Sequence, residues 1–246
     1  MTDNTIRFRG IRALYGLDGF DKLQQSHVLI VGVGGIGSWA AECLCRSALG
    51  ELTLIDPDII EIGNTNRQLH TTSKTLNKNK AKTLAARLLE INPTIKVNTI
   101  DTYLTVDNIE STLANCPYYV IDAIDDIKAK ACLVNYLYKN NKCFISAGGA
   151  GGRIDPSYLK IDDIANAKGD ALISHLRNTL RREYNFPKNG RKMGVFCTYS
   201  DEKARYSDTI LQEKENLPTF GASMAVTASA GLLLASYILK KIVLEA

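Results

Sequence analysis

The sequence predicts an α/β fold: a Rossmann-like, mostly parallel sheet with helices on both faces, plus a C-terminal extension of strands and helices. Three observations carry that reading. Short apolar runs alternate with segments of helical period between residues 27 and 147, and such alternation requires crossover connections and a sheet covered on both sides. The first run ends in a glycine-rich turn that opens a helix, the setting in which backbone amides approach a phosphate. The second run ends on Asp56, about 20 residues later, where a carboxylate receives ribose hydroxyls.

Taken in order, His27–Val33 (HVLIVGV) is a continuous β-branched run, as expected of a strand buried on both faces. Ser38–Leu49 is helical, and Glu51–Asp56 is the second strand. Lys78–Ile91 reads as a helix with Leu84, Leu88 and Ile91 at helical spacing, stopped by Asn92-Pro93. Lys96–Ile100, Tyr118–Ile124 and Cys143–Ala147 are further strands, with helices at Val106–Leu113 and Asp126–Lys139 between them. After residue 152 the alternation is lost. Arg153–Ile161 and Gly194–Tyr199 are strand-like, Asp170–Tyr184 is a helix candidate, Asn185–Lys192 is a basic loop, and a charged linker leads to a closing helix at 222–243.

Composition bounds the answer. With 246 residues, 45% of them hydrophobic and 23% charged, disorder, collagen and disulfide scaffolds are excluded. Met1–Gly10 has no apolar core, so no secretory signal is expected. Four of the six cysteines lie in apolar runs, as expected of reduced thiols in a cytoplasmic protein. Phe220–Leu239 carries no charge and is long enough to span a bilayer. It is rich in Ala, Ser, Thr and Gly, so a buried core helix is expected, with membrane contact as the alternative.

Gly32-Val33-Gly34-Gly35-Ile36-Gly37 follows a strand and opens a helix, so Gly32, Gly34, Gly35 and Gly37 are expected to hold phosphates. The loop alone does not choose between a nicotinamide cofactor and ATP. Beyond Asp56 and Asp58 come Asn64, Asn66, Arg67 and Gln68, then Lys80, and Asp122 and Asp125 follow the fourth strand. Arg67 and Lys80 suit a triphosphate whose charge must be offset as pyrophosphate departs. A nearby carboxylate suits Mg²⁺. The plain alternatives are a solvated polar loop for 64–68, a surface Lys80, and two aspartates that cap strand ends.

Together Gly32–Ser38, Asp56-Pro57-Asp58, Asn64-Thr65-Asn66-Arg67-Gln68, Lys80 and Asp122-Ala123-Ile124-Asp125 resemble, in order and spacing, the ubiquitin-activating-enzyme-like (ThiF/MoeB/HesA) adenylating superfamily. The resemblance covers nearly the whole chain. It implies that a substrate carboxylate attacks the α-phosphate of ATP, giving an acyl-adenylate and pyrophosphate. It also implies that Asp56 holds ribose, Arg67 and Lys80 the phosphates and Asp125 a Mg²⁺, with Gln68 in support and Arg67, Lys80 and Asp125 as the catalytic set. A homodimer is implied as well, in which Arg7, Arg9 or Arg12 reaches the partner's ATP. Residues 1–152 are then the ATP-binding core, and 153–246 an extension packed with it as one unit.

The branch is read from finer features. The chain has no CxxC, and Cys43-Leu44-Cys45 is one residue too tight for one, so no zinc is expected. Arg7-Phe8, Leu14-Tyr15-Gly16, Ser38-Trp39-Ala40-Ala41-Glu42, Gly148-Gly149-Ala150-Gly151-Gly152 with Asp155-Pro156, and Gly194-Val195-Phe196-Cys197 with Tyr199-Ser200 resemble the tRNA threonylcarbamoyladenosine dehydratase branch. That resemblance implies ATP-dependent cyclisation of threonylcarbamoyladenosine at tRNA position 37, with a cysteine-desulfurase system as a further sulfur-transfer partner. The competing reading is adenylation of the C-terminal Gly of a sulfur-carrier or ubiquitin-like protein. Cys197 reads as a buried strand thiol, with a thioester or persulfide role as its alternative.

Net charge is +4, and between residues 168 and 192 seven basic residues stand against two acidic ones. The excess is therefore local. Arg177, Arg181, Arg182, Lys188, Arg191 and Lys192 are the candidate tRNA contacts, with Tyr184 and Phe186 as stacking partners for splayed bases. A solvated helix face with two core aromatics is the alternative.

Overall fold

A computed structural model describes residues 3–206 and 220–245. Residues 207–219, most of the charged linker expected before the closing helix, lie outside the described residues. The described strands are β1 (His27–Val31), β2 (Glu51–Ile55), β3 (Lys96–Ile100), β4 (Tyr119–Asp122), β5 (Cys143–Ala147), β6 (Leu159–Asp163) and β7 (Phe196–Ser200). They form one sheet in the order β3-β2-β1-β4-β5-β7-β6. Every neighbouring pair is parallel except β6 with β7. The order reverses about β1, which pairs with β2 on one side and β4 on the other. A crevice opens at such a reversal, beyond the carboxyl ends of the strands.

The helices are α1 (Asp3–Arg7), α2 (Arg9–Gln25), α3 (Gly37–Arg46), α4 (Lys80–Ile91), α5 (Ile109–Thr112), α6 (Ile127–Lys139), α7 (Ala171–Glu183) and α8 (Met224–Glu245). Two apolar cores lie on opposite faces of the sheet. Leu44, Leu84, Leu88, Leu234 and Ile238 cover one face from α3, α4 and α8; Leu133, Leu137, Ile173, Leu176 and Leu180 cover the other from α6 and α7. The alternating face of β1 explains this, because Val28 and Ile30 enter the first core while Leu29 and Val31 enter the second.

Local sequence sets the helix starts. Asn79, Asp126 and Asp170 each accept a backbone amide three residues ahead and so cap α4, α6 and α7. α3 starts on Ile36 with no side-chain cap, which leaves its amino end for an anion. α8 is long and apolar enough to cross a membrane, yet it lies against α2, α3 and β5, with Val226, Leu234, Ala235 and Ile238 buried.

The polar N-terminus, for which no element was expected, folds into α1 and α2, and Gly16 takes φ +72° at the kink within α2. Two expectations are corrected. The strand expected at Arg153–Ile161 starts only at Leu159. Asp155 caps a 3-10 turn at Pro156–Tyr158 instead, and the Arg153 side chain turns inward. Val106–Leu113 contracts to the single turn of α5.

Candidate active site

The crevice holds a cavity of about 980 Å³. One wall is the glycine turn. Gly32 takes φ +85°, and a Cβ there would lie 2.8 Å from the Ala123 carbonyl, so only glycine lets β1 turn this closely past β4. The amides of Gly34, Gly35 and Ile36 have no partner among the described residues. They stand at the uncapped end of α3, an arrangement suited to phosphate. Gly37 does not line the cavity; a Cβ there would fall 1.9 Å from the Gly32 carbonyl, so its part is to let the turn close.

Asp56 terminates β2. Its Oδ2 accepts the Val33 amide at 2.8 Å and its Oδ1 the Asp58 amide at 3.0 Å, which aims the carboxylate along the phosphate turn. Burial raises its pKa against those two hydrogen bonds. Asp58 receives the Lys80 ammonium at 2.8 Å and the Tyr103 hydroxyl. Burial pushes the Asp58 pKa up, but the hydrogen bonds from Lys80 and Tyr103 hold it below the usual carboxylate range. Lys80 is buried at the first position of α4 and lines the cavity with Asp56, Asp58, Asn64, Arg67 and Gln68.

Asn64 is fixed by a reciprocal cap with Glu61. Trp39 on α3 donates to the Arg67 carbonyl at 3.0 Å, and the Arg67 stem lies over Gly35. The Arg67 guanidinium is held at Gly63 and Asn66, on the edge of the cavity. Gln68 Oε1 is buried without a partner beside the phosphate turn. Asp125 lies in the cavity wall after β4 and is exposed to it.

Besides Gly37, two expected ligand residues stand elsewhere. Asp122 is fully buried outside the cavity, 2.9 Å from the equally buried Lys130 ammonium and hydrogen-bonded by Ser146. It sits on β4 with its side chain turned into the protein, so it is an internal ion pair. Asn66 also lies outside the cavity and donates to the Ala222 carbonyl at 2.8 Å, tying the polar loop to the start of α8.

The basic segment divides too. Arg177 donates to the Ile164 and Ala167 carbonyls and Arg181 to that of Pro187, so both guanidinium groups brace the fold. Phe186 is buried against Tyr138 at 4.7 Å, and Tyr184 is half-buried in the same core; the core alternative holds for both. Arg182, Lys188, Arg191 and Lys192 are exposed. Cys197 on β7 is fully buried, and burial pushes its thiol pKa far up, the setting of a structural strand thiol. Of the N-terminal arginines, Arg7 donates to the Ile91 carbonyl and Arg12 lies over the Phe20 ring, while Arg9 is exposed.

Sequence reasoning missed Tyr103 and Arg153. Tyr103 sits in a loop with no motif, and only the folded chain brings its hydroxyl to Asp58. Arg153 was legible as the residue after the glycine run, but its burial was not.

Comparison with known proteins agrees with this geometry. The chain is 38% identical to the tRNA threonylcarbamoyladenosine dehydratase of Escherichia coli (strain K12) over 253 residues, spanning 98% of this chain and 94% of that protein. It is 39% identical to the enzyme of the same name from Haemophilus influenzae over 247 residues, spanning 96% and 93%. The crystal structure of the E. coli tRNA N6-threonylcarbamoyladenosine dehydratase in complex with ATP superposes with a TM-score of 0.91, covering 98% of this chain and 96% of that one. The ThiF family model matches residues 8–244. From the phosphate turn to the closing helix, the chain belongs to the ThiF family.

Proposed function

We propose that this protein is an ATP-dependent tRNA threonylcarbamoyladenosine dehydratase that cyclises the modified adenosine at position 37 through an acyl-adenylate. The observation that carries the reading is one continuous cavity. It runs from the free amides of the phosphate turn, past Asp56, Lys80 and Asp125, to the Gly148–Gly151 loop. Its lining suits a nucleotide at one end and a second, carboxylate-bearing substrate at the other. The named relatives supply the substrate, and the E. coli structures supply ATP and AMP as ligands of a homologous site.

Asp56 receives ribose hydroxyls through the lone pairs its two amide bonds leave free. The phosphates lie on the α3 amides. Arg67 and Lys80 offset their charge, and Lys80 reaches them only by loosening its bond to Asp58. The substrate carboxylate attacks the α-phosphorus and pyrophosphate departs. A carbamoyl atom then attacks the acyl carbon, AMP leaves with the C–O bond, and the proton of the attacking group goes to solvent. The closure is intramolecular, so holding the two groups together supplies much of the rate. Mg²⁺ fits here through Asp125, because this ion takes one or two carboxylates with phosphate oxygens and water; it would neutralise phosphate charge. Ile6, Leu14 and Leu17 are exposed on α1 and α2. A second copy packing there would bring Arg7, Arg9 or Arg12 to its neighbour's ATP.

The test is ATP–pyrophosphate exchange by the purified protein with threonylcarbamoyladenosine-bearing tRNA, alongside mass spectrometry of the digested nucleosides. Exchange that depends on the modified tRNA, with loss of one water from the nucleoside, is expected. Exchange driven only by a carrier protein ending in Gly would replace this reading with the carrier one.

A further inference from the structure

Arg153 follows the Gly148–Gly152 run and is 5% exposed, underneath the loop that closes the acceptor end of the cavity. Its guanidinium makes hydrogen bonds to the carbonyls of Gly149 (2.8 Å), Gly151 (3.1 Å) and Gly169 (2.8 Å). Its Nε is buried without a partner among the described residues. No carboxylate forms a salt bridge with it among the described residues. Asp170 lies near enough for burial to raise its pKa against the Arg153 charge, but its oxygens accept the amides of Gly149 and Ile173. A buried cation held only by carbonyls is unusual, because charge taken from water is ordinarily paired.

The loop it holds is fixed at its far end as well. The Gly152 amide donates to the Gly221 carbonyl and the Gly152 carbonyl accepts from the Arg205 amide, each at 2.7 Å. Within the run, the amides of Ala150 and Gly151 have no partner among the described residues. A trans peptide is planar with its N–H and C=O antiparallel. Drawing the Gly149 carbonyl down onto Arg153 therefore turns the Ala150 N–H the opposite way, away from Arg153, and both Gly149 and Ala150 line the cavity.

We propose that Arg153 is a positioning residue for an anion pocket at the acceptor end. It orients the Ala150 amide into the cavity and puts positive charge behind it, so that this donor holds an oxygen of the substrate carboxylate. The same oxygen carries the negative charge when the carbamoyl atom adds to the acyl carbon, and it becomes the ring carbonyl when the C–O bond to AMP breaks. A preset donor is worth most at that moment, because it does not have to reorganise. The proposal rests on the dehydratase reading above and adds the recognition of the reacting group.

Two anticodon stem-loops test it, one carrying threonylcarbamoyladenosine and one carrying plain adenosine, with binding measured without ATP. The modified loop is expected to bind wild type about tenfold more tightly, as a charge-assisted hydrogen bond would give. In Arg153→Met that ratio is expected to fall to about one, with Arg153→Lys between. The affinity of Arg153→Met for the unmodified loop is expected to stay at the wild-type value, and that separates positioning from structural loss. Ala150→Pro removes the N–H itself, and its cyclisation rate is expected to drop on the order of 100-fold with ATP affinity retained. An unchanged ratio in Arg153→Met, or no discrimination by a wild type that does cyclise, overturns the role of Arg153. A wild type that never cyclises the modified tRNA overturns the functional reading itself.

Discussion

Lys130 and Asp122 are both fully buried, 2.9 Å apart, with Ile124 and Ser146 completing their hydrogen bonds. Removing one partner strands a charge, so Lys130→Met is expected to cost about 3–5 kcal/mol in urea denaturation. The double change to Lys130→Met with Asp122→Leu should recover most of that loss, because no lone charge remains. His70 shows the opposite arrangement, a buried ring with neither nitrogen partnered among the described residues. Burial, and then the charge of Lys80, lower its pKa to about 4 from 6.5. Its folded pKa is depressed, so between pH 6.5 and 4 the unfolded chain binds the proton and the folded chain does not. Stability should therefore fall by roughly 3 kcal/mol as pH drops through that window. His70→Leu should flatten this part of a pH–stability curve measured by denaturant titration. Arg67, Lys80 and Asp125 were legible as residues, since each stands at a recognisable place in a motif. The true place of Asp122 was not, because one residue's difference at a strand end decides which face its side chain takes.

Among the elements, the packing of α8 on α3 matters most to the site. Gly231 faces the start of α3, where a Cβ would come within 2.4 Å of the Ile36 carbonyl and 3.0 Å of the Ala40 amide. Both are backbone atoms of the phosphate-binding end, and neither can swing away. Gly231→Val is expected to destabilise the protein by about 1–3 kcal/mol and to weaken ATP binding, read by denaturation and by nucleotide titration. The small-residue composition of this helix was visible in the sequence and pointed to close packing. Its partner was not visible, because α3 lies far back along the chain. α2 was missed for a related reason. Gly10, Gly16 and Gly19 interrupt its helical signal, and the helix is held by burial of Phe20 and Leu23 instead of by propensity.

Across the whole molecule, α7 connects two working ends. Its amino end reaches the cavity through Leu172, and its carboxyl end leads to the exposed Arg182, Lys188, Arg191 and Lys192. Thirteen helical residues span roughly 20 Å, so under the proposed function the basic loop would touch RNA at a distance from the base being modified. Reversing those four charges to Glu is expected to weaken tRNA binding and to lower the salt slope by about 0.9 for each phosphate no longer neutralised, measured by titration at several salt concentrations. Reversing Arg181 should do less, because its guanidinium is spent on Pro187. By itself the sequence determined the alternating sheet, the glycine turn that opens α3, and Asp56, Arg67, Lys80 and Asp125 as the candidate residues around it, because these depend on local period and on motifs whose spacing is fixed by the chain. Only the tertiary structure decided which polar groups face the cavity and which are internal: Asp122 on Lys130, Asn66 on Ala222, Arg177 and Phe186 in the frame, and Arg153 beneath the glycine loop. Sequence spacing cannot supply that answer, since burial and hydrogen-bond partners are set by segments that meet only when the sheet closes and its two faces are covered.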